Sequence, residues 1–504
     1  MIKFVVIGCA LWIAFFMVIF LLRPSSFLHK ITIDSMDNKT KIFTIFVLAI
    51  LIIMCTKPMG LCPVENGVEH DFRNQYELLT ESILNGHLYL DVEVDQKLLQ
   101  LENPYDMDSR AEAKVQYIWD CAFYNGHYYV YFGVVPVFLV FIPYWLLTGK
   151  MLITYQATQI FVSIFICGMF ATFYLLAKRF FPKTPYSVYL MMSTAFSLVG
   201  IWYSIGHPAL YCTAITAGMC LEIWSIFFFV KAVWVDQSEK KSTLSAFIGG
   251  LFGALVFGCR PPIAIANLLV LPMLVVYLKN RKLNVKLLLR LLFLTTPYIV
   301  VGILLMLYNY ARFQNPFEFG SSYQLTLADM GAYASNNTLV DALKVVMEHF
   351  FLLPSAINEF PYVSYCGIFI NFPIFLLILF LVTRKTIWEK AHKDCLVMFI
   401  ITSILLVFLI IGIDSYLTPY ASERYHMDVY WMMGMVFYIL IGYYYAGISD
   451  KRKNVISCGI SLLALFTCIQ CFLLFCVPNN QNLTDYNPEW LIRIRQMIFF
   501  WELL

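Results

Sequence analysis

Charge is what this sequence has least of. Only 13% of its 504 residues are Asp, Glu, Lys or Arg and 60% are hydrophobic, with a mean hydropathy of +0.72, whereas soluble domains carry about 25% charged residues. A water-soluble globule is thereby excluded. The chain also lacks a P-loop, a G-x-G-x-x-G turn and an H-E-x-x-H pair, so cytosolic nucleotide chemistry and zincin-type metal catalysis have no support. Loop carboxylates are plentiful, yet no fixed-spacing calcium or magnesium motif occurs; no metal and no cofactor is assigned, and a divalent-ion requirement stays open. The net charge of +3 is small for this length, and the basic residues cluster where topology needs them, which argues against a nucleic acid partner. Most of the fourteen cysteines lie in apolar stretches, where a thiol acts as a small hydrophobe; Cys62 and Cys121 could bridge only in an oxidising compartment.

What is present is a succession of uncharged runs near the roughly 20 residues that cross a bilayer, and within a bilayer only helices satisfy their own backbone amides. The fold class is therefore all-α and polytopic, with about 12–13 membrane helices. Spans are expected near 4–22, 42–60, 153–177, 186–206, 209–233, 244–259, 262–279, 291–311, 364–383, 395–413, 427–447 and 455–477. The first follows one lysine and precedes Arg23-Pro24 without a small-residue cleavage site, so it is read as an uncleaved helix. Six basic clusters, among them Lys178/Arg179/Lys183, Arg384/Lys385/Lys390/Lys393 and Lys451/Arg452/Lys453, all become cytoplasmic if 132–149 fails to cross. Gly133, Pro136 and Pro143 interrupt that stretch, which suits a re-entrant or juxtamembrane segment, and both termini then lie outside.

The resulting organisation is two N-terminal membrane helices (1–60), a large acidic outer loop (61–131), membrane helices with the re-entrant segment (132–311), a second outer loop (312–362), C-terminal membrane helices (363–477) and an interfacial tail (478–504). The first loop holds thirteen acidic and four basic side chains. Arg260, Arg312 and Arg424 stand near helix ends on the non-cytoplasmic side, against the insertion bias, and an anionic ligand would explain them. Each could also pair with a loop carboxylate or reach lipid headgroups. In the tail, Asn487-Pro488-Glu489 is a good helix start, and an apolar stripe from Trp490 to Trp501 suggests a helix lying in the interface.

Along the chain follow Glu69-His70-Asp71; Asn85-Gly86-His87-Leu88-Tyr89-Leu90-Asp91; Tyr124-Asn125-Gly126-His127-Tyr128-Tyr129 with Gly133 and Pro136; Gly258-Cys259-Arg260-Pro261; Tyr308 to Phe313 and then Asn315-Pro316-Phe317-Glu318-Phe319-Gly320; and Glu423-Arg424-Tyr425 with Asp428. In this order these motifs resemble the GT-C superfamily of polytopic membrane glycosyltransferases, of the lipid-phosphate-sugar-dependent family 39 type. Two helices rather than one precede the loop, and Val134-Val135-Pro136 stands where the family often has a lysine before a Pro-Pro pair.

The resemblance implies transfer of a sugar from a polyprenyl-phosphate carrier to a glycan, lipid or protein acceptor on the non-cytoplasmic face, at the plasma membrane and in envelope glycan or glycoconjugate synthesis. On that reading a loop carboxylate takes the acceptor proton, with Asp71 first, Glu69 second and Asp120 third. Arg260 and Arg424, assisted by Tyr425, His127 and Arg312, would hold the departing phosphate, and the first two must converge. Intramembrane Glu222 has no obvious partner and stays outside the site. A secondary transporter or lipid flippase would instead place ionisable groups at the bilayer midplane in repeated halves; a non-catalytic polysaccharide-assembly component is the third reading.

Overall fold

The computed structural model describes residues 2–60, 75–208, 210–279, 281, 284–326, 329, 338–354, 366–418, 421–475 and 488–503. The chain is a polytopic helical membrane protein. Ten of the described helices are long and apolar enough to cross a membrane. They comprise α1 (Ile2–Leu22, continued to Lys30 by a short turn of helix), α2 (Asn38–Met59), α5 (Thr154–Phe180), α6 (Tyr186–Gly206), α7 (Leu210–Val230), α9 (Pro261–Leu278), α10 (Val285–Phe313), α14 (Val397–Leu417), α15 (Glu423–Gly447) and α16 (Asp450–Phe475). Between them stand α3 (Gln75–Leu84), α4 (Ile142–Thr148), α8 (Glu239–Val256), α11 (Leu339–Phe351), α12 (Leu376–Leu381) and α13 (Lys385–Lys393), with α17 (Pro488–Ile498) in the tail.

Two expected spans take another form. The stretch 364–383 is a broken string of short pieces, Ile368–Asn371, Pro373–Phe375 and α12, because Pro373 cannot donate into a continuing helix. The expected 244–259 is α8, which starts in the charged Glu239-Lys240-Lys241 and stops at Val256 before the Gly258-Cys259-Arg260 break. The apolar helix Val137–Thr148 has twelve residues, about 18 Å at 1.5 Å per residue, against a hydrocarbon core of about 30 Å.

Burial separates the lipid-facing helices from the core. In the most apolar windows of α1, α2 and α10 only 11–17% of residues are buried, against 89% for α15, so α15 is the centre of the bundle although its mean hydropathy is lower. It packs on α6 and α14, and glycines permit the close approach: a Cβ on Gly434 would lie 2.7 Å from Phe196, and one on Gly442 2.7 Å from Phe181. One C-x-x-C occurs, Cys468-Ile469-Gln470-Cys471, and it lies inside α16 as part of that apolar packing. The tail helix α17 docks on α1: Trp12 Nε1 donates to the Ile498 carbonyl at 2.9 Å, and a Cβ on Gly8 would lie 2.3 Å from the Met497 carbonyl oxygen.

The described parts of the two outer loops form one unit. Asn125-Gly126, both at positive φ, close a hairpin of β1 (Ala122–Tyr124) and β2 (His127–Tyr129), as an Asn-Gly turn favours. Asp120 N–H donates to the Leu325 carbonyl and Leu325 N–H to the Cys121 carbonyl, each at 2.9 Å. Buried Arg110 clamps the two loops through the carbonyls of Pro104 and Thr326. The unit docks on the helix break before α9. Val135 N–H donates to the Gly258 carbonyl at 2.8 Å, and Gly133 lies so close that a Cβ would fall 2.1 Å from that oxygen.

Candidate functional site

One end of the bundle gathers the ends of α6, α8 and α14, the starts of α7, α9 and α15, and the outer-loop unit. Arg260 is placed by the break itself: it caps α9 with extended backbone, and Pro261-Pro262 supplies the fixed φ of a first helical turn. Its Nε donates to both carboxylate oxygens of Asp428, at 2.8 and 2.9 Å, and its Nη2 to Oδ2 at 2.7 Å. Asp428 is fully buried and Arg260 nearly so. Such a fork-shaped pair is strongly oriented, and removal of either partner strands a buried charge. Arg260 Nη1 makes no hydrogen bond among the described residues.

Arg424 stands in the first turn of α15, half-buried. Its guanidinium lies 4.2 Å over the Tyr211 ring and donates from Nη2 to the Tyr425 hydroxyl at 3.2 Å. No described carboxylate oxygen comes within 4.0 Å of it. The Tyr425 ring also lies 5.8 Å from the Arg260 guanidinium, so the two arginines, 164 residues apart in sequence, meet at one tyrosine. The positive end of α15 adds to the Arg424 charge, and together they favour an anion.

Four described carboxyls, those of Asp428, Asp414, Asp120 and Glu423, lie within electrostatic reach of this pair. Asp428 is spent on Arg260. Asp414, near the end of α14, is buried with Oδ2 lacking a hydrogen-bond partner among the described residues, and it lies within electrostatic reach of Asp428, Arg260 and Arg424. Asp120, in the loop, is 4% exposed, adopts a left-handed backbone that aspartate tolerates, and accepts a hydrogen bond from the Gln324 amide. Burial pushes its carboxyl up to about 6, while Gln324 and Arg424 pull the other way. The Tyr131 hydroxyl stands among Asp120, Arg424, Tyr425 and Arg260, and burial followed by the Asp120 charge keeps it protonated. A cation with no carboxylate partner among the described residues, a carboxyl that ionises near neutrality and a neutral phenol therefore lie together.

The expected residues fall unevenly. Arg260, Arg424, Tyr425 and Asp120 come together. Glu69 and Asp71 lie outside the described residues; Gln75, which opens α3, donates from its side chain to the carbonyls of Trp119 and Asp120. His127 is exposed on the hairpin, its ring stacked at 4.4 Å on Tyr89, whose other face carries His87 at 4.2 Å. Arg312 is buried in the scaffold, its Nη1 donating to the Val130 carbonyl at 2.6 Å and its Nη2 to Asn309 Oδ1 at 2.7 Å, while its Nε has no hydrogen-bond partner among the described residues. Asp414 and Tyr131 escaped sequence reasoning. Asp414 looked like the polar end of a span, and only an intramembrane carboxylate rule would have flagged it. Glu222, in α7, is buried with neither carboxyl oxygen hydrogen-bonded among the described residues.

No family profile matches the chain, and no curated protein matches it. A solved structure, the Archaeoglobus fulgidus oligosaccharyltransferase in its apo form, is similar over 88% of this chain and 57% of its own, with a TM-score of 0.49 and 13% sequence identity. The chain thus spans little more than half the length of that enzyme.

Proposed function

We propose that this protein is a membrane glycosyltransferase of GT-C type, taking a sugar from a polyprenyl-phosphate carrier and passing it to an acceptor on the non-cytoplasmic face. The observation that carries the reading is the convergence of Arg424 and Arg260 on Tyr425 beside Asp120, at the mouth between the outer-loop unit and the helices. The order of motifs resembling GT-C enzymes supports it independently.

In the proposed reaction an acceptor oxygen or nitrogen bonds to the anomeric carbon as the bond from that carbon to the phosphate oxygen breaks. The acceptor proton passes to a loop carboxylate, and the electron pair leaves with the lipid phosphate. Asp120 is the described carboxylate suited to receive that proton, since its titration near 6 leaves it ionised at neutral pH yet basic; Asp71 and Glu69 are the other loop acids proposed for the role. Arg424, with Arg260 Nη1 beside it, offsets the growing phosphate charge where water is scarce. Asp428 positions Arg260. Membrane lipid would bound the cleft on its open side, and the donor's prenyl chain would lie there.

The test is the lipid pool. Cells lacking the protein should accumulate a lipid-linked sugar that the wild-type gene clears and the Asp120→Asn and Arg424→Ala genes, expressed at equal level, do not. Clearance by both variants would sink the proposal.

A further inference from the structure

At the opposite end of the bundle a groove opens between α12, α15 and α16. It encloses about 330 Å³ and is walled by Leu377, Phe380, Tyr444, Ile456, Gly459 and Leu463. A Cβ on Gly459 would meet nothing within 4 Å, so the groove has room beyond that backbone. Its walls are wholly apolar apart from the Tyr444 hydroxyl, as suits a hydrocarbon chain rather than a solute.

Cations crown this groove one helical turn beyond each wall. Arg384 follows Phe380 and lies 3.8 Å over its ring. Lys390 Nζ lies 3.4 Å from the position of a Cβ on Gly447, three residues past Tyr444. Lys453 is three residues before Ile456 and reaches over Tyr445. The nearby acids are already engaged: Glu389 with Lys385, Asp450 with Lys453, and Asp394 with the Tyr443 hydroxyl. Among the described residues Arg384 and Lys390 have no carboxylate partner. Burial, and then the neighbouring Lys453 and Lys393, hold the Lys390 ammonium below the ordinary lysine range, as expected where cations are crowded without a counter-ion.

We propose that this groove is a binding site for an anionic phospholipid, one acyl chain lying between α12, α15 and α16 and the phosphate diester lying against Arg384 and Lys390. Basic pockets between membrane helices recognise lipid headgroups in this way. The site is independent of the cleft at the other end and does not rest on the glycosyltransferase reading.

The experiment measures lipid retained by the purified full chain after detergent exchange, using native mass spectrometry with phosphatidylglycerol or phosphatidylcholine added. Each cation favours a headgroup of net negative charge over zwitterionic phosphatidylcholine by about fivefold, so two give a preference for phosphatidylglycerol of about 30-fold. The double variant Arg384→Gln/Lys390→Gln should bring that preference close to one. Gly459→Leu, which fills the groove without touching the cations, should lower retention of both lipids at least about fivefold. Millimolar inorganic phosphate should not displace the bound lipid. Equal retention of the two lipids by the wild type, an unchanged preference in the charge variant, unchanged retention in Gly459→Leu, or displacement by phosphate alone would each overturn the site.

Discussion

Replacing Asp120 with asparagine separates chemistry from scaffold. The side chain is buried and accepts the Gln324 amide, a bond that the asparagine carbonyl oxygen can also accept. Its carboxyl titrates near 3.8 when unperturbed and near 6 in the fold, so ionising it at neutral pH opposes folding by about 3 kcal/mol. The sign follows from proton counting. Between about pH 4 and 6 the folded state holds a proton that the unfolded state has lost, so stability falls as pH rises through that window and is level above it. Asparagine has no such window. The variant should therefore be as stable as the wild type or more so at pH 7, by up to about 3 kcal/mol, and its stability advantage should vanish below pH 4. Activity should move the other way, dropping by about 10²- to 10⁴-fold if Asp120 is the general base. Wild-type turnover should rise tenfold per pH unit up to about 6 and then plateau. The assay pairs thermal unfolding of the purified chain at pH 4.5 and 7 with sugar transfer from a lipid-phosphate donor. Wild-type turnover in the variant would remove Asp120 from the chemistry, and a variant less stable at pH 7 would refute the burial argument.

Arg424→Ala should keep the fold, because no described carboxylate is ion-paired with it within 4.0 Å, and should lose about 30- to 1000-fold in transfer rate, with Arg424→Lys recovering part; steady-state kinetics with the monodisperse protein decide this. Arg260→Ala should behave differently: it strands Asp428 in the core and should cost about 3–5 kcal/mol of stability, much of which Arg260→Leu/Asp428→Leu restores as a neutral pair, read by thermal unfolding. Combining Arg260→Ala with Arg424→Ala should cost less activity than the sum of the single losses, since both serve one group. Gly133→Ala should loosen the docking of the outer-loop unit on the helix break, because a Cβ would fall 2.1 Å from the Gly258 oxygen; a loss of about 1–3 kcal/mol and faster protease cleavage between 61 and 131 are expected.

The helical architecture was legible because long uncharged runs leave few alternatives, and α5, α6, α7 and α15 stand close to their expected bounds. At Pro373 the reading failed while Pro297 left α10 unbroken, since composition alone does not tell a bent string of turns from a span. The site was legible as a set of cations at helix ends. What a sequence does not carry is the partner of each: Arg260 and Asp428 are 168 residues apart, and nothing local distinguishes Arg260, whose Nη1 has no hydrogen bond among the described residues, from Arg312, which spends its Nη groups on Val130 and Asn309. His127 was drawn toward the site by its motif, whereas the Asn125-Gly126 turn aims it outward against Tyr89. Asp414 and Tyr131 matter only through tertiary placement, and neither follows a periodic or motif signal.

If Arg424 and Arg260 hold a lipid phosphate, equilibrium binding of a polyprenyl phosphate to the purified full chain should reveal it, with wild type and Arg424→Ala measured side by side in one detergent. A charge-assisted hydrogen bond to phosphate contributes about 1.5–3 kcal/mol, so the variant should bind about 10- to 100-fold more weakly, while the corresponding uncharged polyprenol should bind both proteins equally. Equal affinity of the two proteins for the phosphate would contradict the account.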